Sequence, residues 1–314
     1  MAPRSRRRSH REATRLRLAA ITAVLIGLVL VSLRLLPGSP FESTAAAEWG
    51  SASSEDRGKD LTDRKTRSAP PSPSPSPEPE PLPFEAKSLN LKIEGWYAWS
   101  VLDRRTGEII GSDNMAETST TASLIKSWIV ADYLRLSADA GQTPSDAKLA
   151  DLTKIIRDSD NVRTQTVYEE IDTTASIRRL ISTCDLTDSK VSEDRGWSRT
   201  QLSPRDVARL GNCIVDGRAA GPTWTKWLLN EMRLVRGAGD FGIRKAFPTA
   251  EAKKIAIKNG WVDREQEQEI HVNCLAIGDT WTMGVMLRYD IDKGYEYGMA
   301  NCQKITKALQ TPTL

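Results

Sequence analysis

The chain has 314 residues, 39% of them hydrophobic, which suffices for one large domain or two small ones and excludes a chain that is disordered throughout. The formal net charge is +3, but residues 1–17 hold seven arginines and one glutamate, so this block carries +6 and the remainder −3. Because the basic excess is one N-terminal block and not a face of a folded domain, a nucleic-acid partner is not expected.

An apolar segment follows the basic block. Residues 18–33, LAAITAVLIGLVLVSL, carry no charge, and the apolar character resumes after Arg34 with Leu35 and Leu36. This is about the length that a bilayer requires, roughly 17–25 residues. The arginines before it predict a cytoplasmic tail over residues 1–17, a single-pass cell-membrane anchor over residues 18–36 and an extracytoplasmic remainder. A cleaved signal peptide and a secreted product are the alternative, but the small-residue site at residues 45–47 lies far beyond the apolar run.

Residues 37–85 predict a disordered linker. They are short of aliphatic side chains, rich in Ser, Glu, Asp, Arg and Pro, and they end in the proline-rich sequence APPSPSPSPEPEPLP. Such a composition cannot bury enough apolar surface to fold. The linker would hold a folded domain, residues 86–314, away from the membrane.

The folded domain begins with a hairpin, because GWYAWSVLD and EIIGSD have strand patterns on either side of turn residues. A block of helical patterns follows, and its first helix runs from Ser123 through Leu136. The last part holds three strands, KIAIKNGW, EIHVNCLAIG and TWTMGVMLRY, and a closing helix over residues 299–309. This order predicts an α+β fold in which both chain ends contribute to one antiparallel sheet and the helical block packs against it.

The four cysteines, Cys184, Cys213, Cys274 and Cys302, show no C-x-x-C spacing. An even count in an exported domain suggests up to two disulfides. Three pairings are open, and we expect Cys184 with Cys213 and Cys274 with Cys302. No metal or other cofactor is expected, because His271 is the only histidine after residue 10, and its strand-like surroundings predict a sheet residue.

Ser123 and Lys126 stand three residues apart at the head of the first helix. That spacing places both side chains on one helix face. An amine that is desolvated enough to lose its proton can accept the proton of a serine nucleophile. The alternative is coincidence, because Ser145 and Lys148 repeat the spacing in TPSDAK, where the serine has the features of a helix N-cap.

Two further short motifs follow. Ser159-Asp160-Asn161 stand where the second helical pattern ends, and helix capping is the alternative to a role in a cleft. Lys258-Asn259-Gly260 stand at the end of the strand KIAIKNGW, where a hairpin turn at Asn259-Gly260 is the alternative.

Taken together, the ordered set of Ser-x-x-Lys, Ser-Asp-Asn and Lys-x-Gly resembles the class A β-lactamase and penicillin-binding protein superfamily. The surrounding sequences LADLTKIIRDSDN, LSPRDVARL and GAGDFGIRKAFP resemble it as well, and the resemblance covers roughly residues 90–310.

The resemblance implies roles for the motif residues. Ser123 would attack a carbonyl carbon and form an acyl-enzyme, with Lys126 as the proton acceptor. Ser159 would pass a proton to the leaving nitrogen, Asn161 would bind the substrate's amide, and Lys258 would attract its carboxylate. The backbone N–H groups of Ser123 and of residue 261 would form an oxyanion hole.

The third motif departs from the family pattern. Asn259 replaces the usual Thr or Ser, and it would donate a hydrogen bond to the substrate carboxylate. Gly260 would let a substrate backbone approach. Trp261 would narrow the cleft or offer a stacking surface, with core packing as the alternative.

The loop after the second motif departs as well. The family's Glu-x-x-Leu-Asn pattern supplies a base for water, whereas DLTDSKVSEDRGWSRTQ lacks it; Glu193 and Asp194 lie in this stretch, and a solvated loop acid is the alternative to a carboxylate that points inward. An acyl-enzyme should therefore hydrolyse slowly. The sequence predicts a monomeric, membrane-tethered serine hydrolase acting on an amide or ester, such as a β-lactam or a cell-wall peptide. A catalytically silent domain that binds a cell-wall fragment or a protein partner is the alternative.

Overall fold

A computed structural model describes residues 82–192, 194 and 196–311. The predicted tail, the apolar segment and the linker up to residue 81 lie outside this range, and so does Glu193. Within the described range, no helix is both long and apolar enough to cross a membrane.

Both ends of the domain form one antiparallel sheet, as predicted. Its strands are β1 (Trp96–Asp103), β2 (Ile109–Gly111), β5 (Ala256–Ile257), β6 (Gly260–Arg264), β7 (Glu269–Ile277) and β8 (Trp281–Asp290), while β3 (Ser119–Thr120) and β4 (Gln201–Leu202) pair separately. The order is β2-β1-β8-β7, and both β5 and β6 pair with β7 at the far edge. The N-terminal strand β1 therefore lies beside the C-terminal strand β8, which confirms the α+β arrangement.

Helices make up most of the rest of the described chain. They are α1 (Lys126–Asp139), α2 (Asp146–Arg157), α3 (Asn161–Glu170), α4 (Thr173–Thr183), α5 (Pro204–Val215), α6 (Gly221–Arg233), α7 (Thr249–Ala252) and α8 (Gly294–Leu309). Ser145 caps α2 and Ser203 caps α5, with Pro204 in the first turn of α5, as the sequence predicts. The second Ser-x-x-Lys pair is therefore a helix cap.

The sheet is covered on both faces, which explains why β7 and β8 are buried along nearly their whole length. Gly284 on β8 lies so close to α5 that a Cβ there would stand 2.8 Å from the Val207 side chain. On α8, a Cβ at Gly298 would stand 2.7 Å from the Val272 side chain of β7. Helices α5 and α8 thus pack on the sheet, and α1 lies in the helical block with Trp128 and Ile129 fully buried.

One local prediction is wrong, and one alternative is excluded. Ser123 lies in a 3-10 turn, Ala122–Ile125, and α1 begins only at Lys126, because the backbone of the turn packs directly against Gly260. Asn259-Gly260 is not a hairpin turn. The pairs Ile257↔Ala276 and Gly260↔Asn273 have the same register, so the chain continues along β7 from β5 into β6. The closing helix also begins earlier than predicted, at Gly294.

Packing begins close to the first described residues. Phe84 is buried, and its ring stands edge-on to Trp281 with centroids 4.9 Å apart. Its backbone forms an isolated antiparallel bridge with Gln310. The two ends of the domain therefore meet at this edge of the core, two residues before the predicted boundary at residue 86.

The two predicted disulfides are confirmed. Cys184 at the end of α4 is joined to Cys213 on α5, and Cys274 on β7 is joined to Cys302 on α8. No cysteine of the described chain is free. The Cys274–Cys302 disulfide fixes α8 to β7, the strand that pairs with β5 and β6 at the edge of the sheet.

Replacing Cys274 and Cys302 together by serine should destabilise the domain by about 2–4 kcal/mol, because the unfolded chain regains the freedom of a closed loop. The sequence separations of the two bridges are 28 and 29, so the matched Cys184→Ser/Cys213→Ser variant should lose a similar amount. Urea unfolding measures both. An unfolding midpoint of the unaltered domain that does not change with a reducing agent would contradict the expectation.

Candidate active site

Ser123 stands at the entrance of a pocket of about 320 Å³, in the turn that precedes α1. Its side chain is half-buried, and in the described structure no hydrogen bond occupies its Oγ. The other lining residues are Ala122, Asn161, Gln165, Trp197, Ser198, Trp261 and Val262. The hydroxyl is therefore free to meet a ligand in this pocket.

Lys126 reaches from the first turn of α1 to the second motif. Its Nζ donates to the carbonyl oxygen of Ser159 and to Oδ1 of Asn161, both at 2.6 Å, and it lies 3.2 Å from Ser159 Oγ. The side chain is fully buried. This burial lowers the pKa of Lys126 to about 7, although the carboxylate of Asp160 opposes the shift. A substantial fraction of the amine is therefore neutral near pH 7, as a base requires.

Ser159 lies between two lysines. Its Oγ is 3.1 Å from Lys258 Nζ, which also donates to the carbonyl oxygen of Asn259 at 3.0 Å. Burial, and then the charge of Lys126, lower the pKa of Lys258 well below its ordinary value. The Ser159 hydroxyl has two lone pairs and can accept from both lysines, and its one hydrogen can be donated to only one neutral amine at a time. The two amines and the hydroxyl form a path for a proton.

The middle residue of the second motif has a different task. Asp160 is the N-cap of α3, where its carboxylate accepts from the backbone N–H of Arg163 at 2.8 Å and from its guanidinium at 2.7 Å. These hydrogen bonds with Arg163, the backbone one foremost, lower the pKa of Asp160. Within the motif, Asp160 therefore caps the helix, whereas Ser159 lies in the cleft. The backbone of Ser159 has a left-handed conformation, with φ of +59°, from which its side chain reaches the lysines.

Neither lysine has a carboxylate partner among the ion pairs of the described chain. Charged Lys and Arg are normally paired when they are buried. Here the two amines meet only carbonyl oxygens, the Ser159 hydroxyl and the indole ring of Trp197. A lysine that is protonated in this cleft would attract an anionic group of a substrate.

The edge strand supplies backbone groups to the same pocket. The N–H of Lys258 donates to the carbonyl oxygen of Leu275 on β7 at 3.2 Å. Because hydrogen-bonded pairs alternate along an antiparallel ladder, the N–H of Trp261 is directed away from β7, at the open edge. Gly260 lies against the Ser123 turn, and a Cβ there would stand 2.7 Å from Ser123 N. The two predicted oxyanion donors therefore belong to elements in direct contact.

The role predicted for Asn259 is wrong. Its Nδ2 donates to the carbonyl oxygens of Gly239 at 3.0 Å and Phe241 at 2.8 Å, and the residue is buried. Successive side chains of a strand point to opposite faces, so Lys258 faces the cleft and Asn259 cannot. The Trp261 ring packs edge-on against Phe241, with centroids 5.6 Å apart, and the half-buried residue also lines the Ser123 pocket.

The sequence did not identify Trp197 and Gln165 as pocket residues. The Trp197 ring centroid lies 4.9 Å from Lys126 Nζ, and its Nε1 donates to Gln165 Oε1 at 3.1 Å. A tryptophan in an otherwise polar loop was the only signal. Asp194, from the same loop, accepts from Ser192 Oγ at 2.5 Å and does not line the pocket.

His271 lies on β7, as predicted for a sheet residue. Its Nδ1 is 2.7 Å from Thr120 Oγ1 and its Nε2 is 3.1 Å from Glu269 Oε2, and it does not line the Ser123 pocket. Among the residues that the structure describes, no cluster of three or more His, Cys, Asp or Glu side chains could hold a metal ion.

Known proteins share this architecture. A model of the beta-lactamase enzyme family matches residues 145–309, which is more than half of the chain. The TLA-3 extended-spectrum beta-lactamase has a similar structure, with a TM-score of 0.58 and 13% identity over 69% of this chain and 94% of that chain.

Two further solved structures are similar. For the class A beta-lactamase from Mycobacterium abscessus, the TM-score is 0.54 and the identity 14%, over 68% of this chain and 92% of that one. For the beta lactamase from Xanthomonas campestris pv. campestris, the TM-score is 0.55 and the identity 15%, over 69% of this chain and 91% of that one. At these sequence identities, the structural similarity shows a shared fold and nothing more. No curated protein matches the chain.

Replacing Gly260 by alanine should damage the site, because the new Cβ would stand 2.5 Å from both Leu124 N and Thr121 O and would push the Ser123 turn away from β6. We expect a loss of about 1–3 kcal/mol in the free energy of unfolding. Any reaction at Ser123 should slow by about 100-fold, since such reactions tolerate little misplacement. Urea unfolding and a rate measurement test the two effects.

Gly196→Ala is the control. The backbone φ of Gly196 is −72°, and a Cβ there would meet only the Asp194 side chain, at 3.2 Å. This variant should unfold at a urea concentration close to that of the unaltered protein. Equal stability and reactivity of the Gly260→Ala variant would show that the turn does not depend on contact with β6.

Proposed function

The chain belongs to the beta-lactamase enzyme family, and on this premise we propose that it is a serine hydrolase that forms an acyl-enzyme on Ser123. The observation that carries the proposal is the cluster of Lys126, Ser159 and Lys258, which Asn161 connects to the pocket that the free hydroxyl of Ser123 lines. A buried amine with a pKa of about 7 is a suitable acceptor for the serine proton at neutral pH.

The reaction follows from these contacts. Ser123 Oγ attacks the substrate carbonyl carbon, its proton passes to neutral Lys126, and negative charge develops on the carbonyl oxygen near the backbone N–H groups of Ser123 and Trp261. When the carbon–nitrogen or carbon–oxygen bond breaks, Ser159 gives its proton to the leaving atom. Ser159 is then reprotonated from a neighbouring lysine.

Asn161 would orient the substrate. Its Oδ1 is held by Lys126 at 2.6 Å, which fixes the side chain with its Nδ2 available to donate to a carbonyl oxygen of the substrate. The substrate that we propose is an amide or ester with a nearby anionic group, such as a β-lactam or a cell-wall peptide. The two lysine amines, which have no carboxylate partner among the described residues, support the anionic group, and the beta-lactamases of similar fold support the class.

We place the domain outside the cell, as a monomer held at the membrane by residues 18–36. The arginine block before that segment and the two disulfides of the domain support an exported location, because disulfides persist in oxidising compartments. Protease added to intact cells should release the domain, and a domain that stays protected until the cells are lysed would contradict this orientation.

Intact-mass measurement tests the acyl-enzyme. A penicillin or a serine-directed phosphonylating probe should add one equivalent to the soluble domain, and Ser123→Ala should abolish the adduct. Ser145→Ala is the matched control, because Ser145 belongs to the second Ser-x-x-Lys pair and caps α2. It should keep the adduct and lose only about 1 kcal/mol of stability. No adduct with either probe, or an undiminished adduct in Ser123→Ala, would refute the proposed nucleophile.

The acylation rate should depend on pH through Lys126. The amine must be neutral to accept a proton, so the second-order rate constant should rise with pH and level off above its pKa of about 7. Below that pKa it should fall roughly tenfold per pH unit. Lys126→Arg should remove both the reaction and its pH dependence, because a guanidinium stays protonated. A rate that is flat between about pH 6 and 8 would exclude Lys126 as the base.

A catalytically silent binding domain is the second candidate, and one observation favours it. Lys126 Nζ is directed at Ser159 and Asn161, and in the described structure it makes no hydrogen bond with Ser123. If the domain only binds a cell-wall fragment or a protein partner, calorimetry should give the same muropeptide affinity for Ser123→Ala as for the unaltered domain, with no adduct in either. A stoichiometric adduct would reject this candidate.

A further inference from the structure

Trp197 lines the Ser123 pocket, and its ring lies over the proposed base. It begins a short 3-10 turn, Trp197–Arg199, in the loop between α4 and β4. Its indole ring is 4.9 Å from Lys126 Nζ, and its N–H is held by Gln165 on α3 at 3.1 Å. Both residues line the Ser123 pocket. The ring is thus fixed from the other side of the pocket and covers an amine that is fully buried.

The carboxylates described in this loop are held elsewhere. Asp188 accepts from Ser203 Oγ at 2.7 Å and from the Arg205 guanidinium at 2.7 and 3.0 Å, so it is bound to the start of α5. Asp194 forms an ion pair with Arg199 at 3.0 Å. Neither lines the Ser123 pocket, and no carboxylate is among its described lining residues.

An indole in this position changes what can follow acylation. Hydrolysis requires a water oxygen to form a bond to the acyl carbon while a base takes its proton, after which the carbon–Oγ bond breaks and Ser123 Oγ regains a hydrogen. Indole has a single N–H donor and no acceptor for a water proton, and that donor is already bound to Gln165. The ring also fills space beside Lys126 that a water would need.

We propose that Trp197, fixed by Gln165, is a positioning residue that excludes water from Lys126 and thereby makes the acyl group on Ser123 long-lived. The inference rests on the proposed function, because it concerns the fate of the acyl-enzyme. The lack of a loop carboxylate alone would remove only a base for water, whereas the Trp197 ring would also keep water away from Lys126. An acyl group shielded in this way remains on the serine until a nucleophile that fits the pocket reaches it.

The test separates formation of the acyl-enzyme from its loss. The full domain is acylated with a fluorescent penicillin, excess reagent is removed, and loss of the adduct mass is followed over time. Trp197→Ala should still acylate at Ser123, and its adduct should hydrolyse faster by at least about tenfold, because water now reaches the ester. Trp197→Phe keeps a ring over Lys126 and should stay within about threefold of the unaltered lifetime.

A second readout is specific to the position of the ring. Removing the indole exposes Lys126, so the inflection of the acylation rate should move to higher pH in Trp197→Ala and stay in place in Trp197→Phe. The control is Trp224→Ala on α6, a half-buried tryptophan whose ring contacts Trp227 and which does not line the Ser123 pocket. It should change neither the adduct lifetime nor the pH profile.

The outcomes are distinct. Normal acylation of Trp197→Ala with an unchanged adduct lifetime overturns this inference and leaves the proposed function standing. Failure of the unaltered domain to form any adduct overturns both. Glu193→Gln decides whether the loop acid is the base instead. If this substitution alone makes a short-lived adduct persist, a carboxylate and not the indole controls the lifetime, and the inference is rejected.

Discussion

Two buried amines without a carboxylate partner are the constraint around which this molecule is arranged. Lys126 and Lys258 have no exposed surface, and both reach Ser159. Burying one charged amine without a counter-ion is costly, and burying two within reach of one hydroxyl is more so. The fold resolves the conflict by lowering both pKa values and surrounding the amines with carbonyl oxygens. A protein with no use for a neutral amine would gain stability by replacing it.

The sheet and the helical block each contribute one side of this arrangement. Lys126 comes from the central helix α1, and Lys258 comes from the edge of a sheet that both chain ends build. Gly260 allows the two parts to meet, because its missing side chain leaves room for the backbone of the Ser123 turn. The disulfide between Cys274 and Cys302 fixes α8 to β7, the strand that supports this edge. The geometry of the site is therefore a consequence of how two layers contact each other.

The loop between α4 and β4 lacks the Glu-x-x-Leu-Asn pattern that the sequence resemblance leads one to expect. In place of a carboxylate, the described part of the loop offers an indole to the pocket, while Asp188 and Asp194 are bound by arginines outside it. In the proposed mechanism, acylation and release of the acyl group depend on separate parts of the structure. The lysines belong to the packed core, whereas the loop is attached at its ends by short contacts such as the bridge between Lys190 and Gln201. A loop can change without disturbing the core, so the fate of an acyl group can vary while its formation is kept.

The sequence alone indicated the α+β fold and the three motifs, since alternation, helical spacing and motif order are local properties of the chain, but it left three cysteine pairings open. It also placed Ser145 correctly as a helix cap. Only the tertiary structure decided where side chains point. The Asn259 side chain points away from the cleft because the chain continues from β5 into β6. Pairing with β7 fixes which face of the sheet each side chain occupies. Ser123 lies in a 3-10 turn because Gly260, 137 positions later in the sequence, packs against it. Trp197 covers Lys126 because α3 holds its N–H. These are contacts between distant parts of the chain, and no local pattern encodes them.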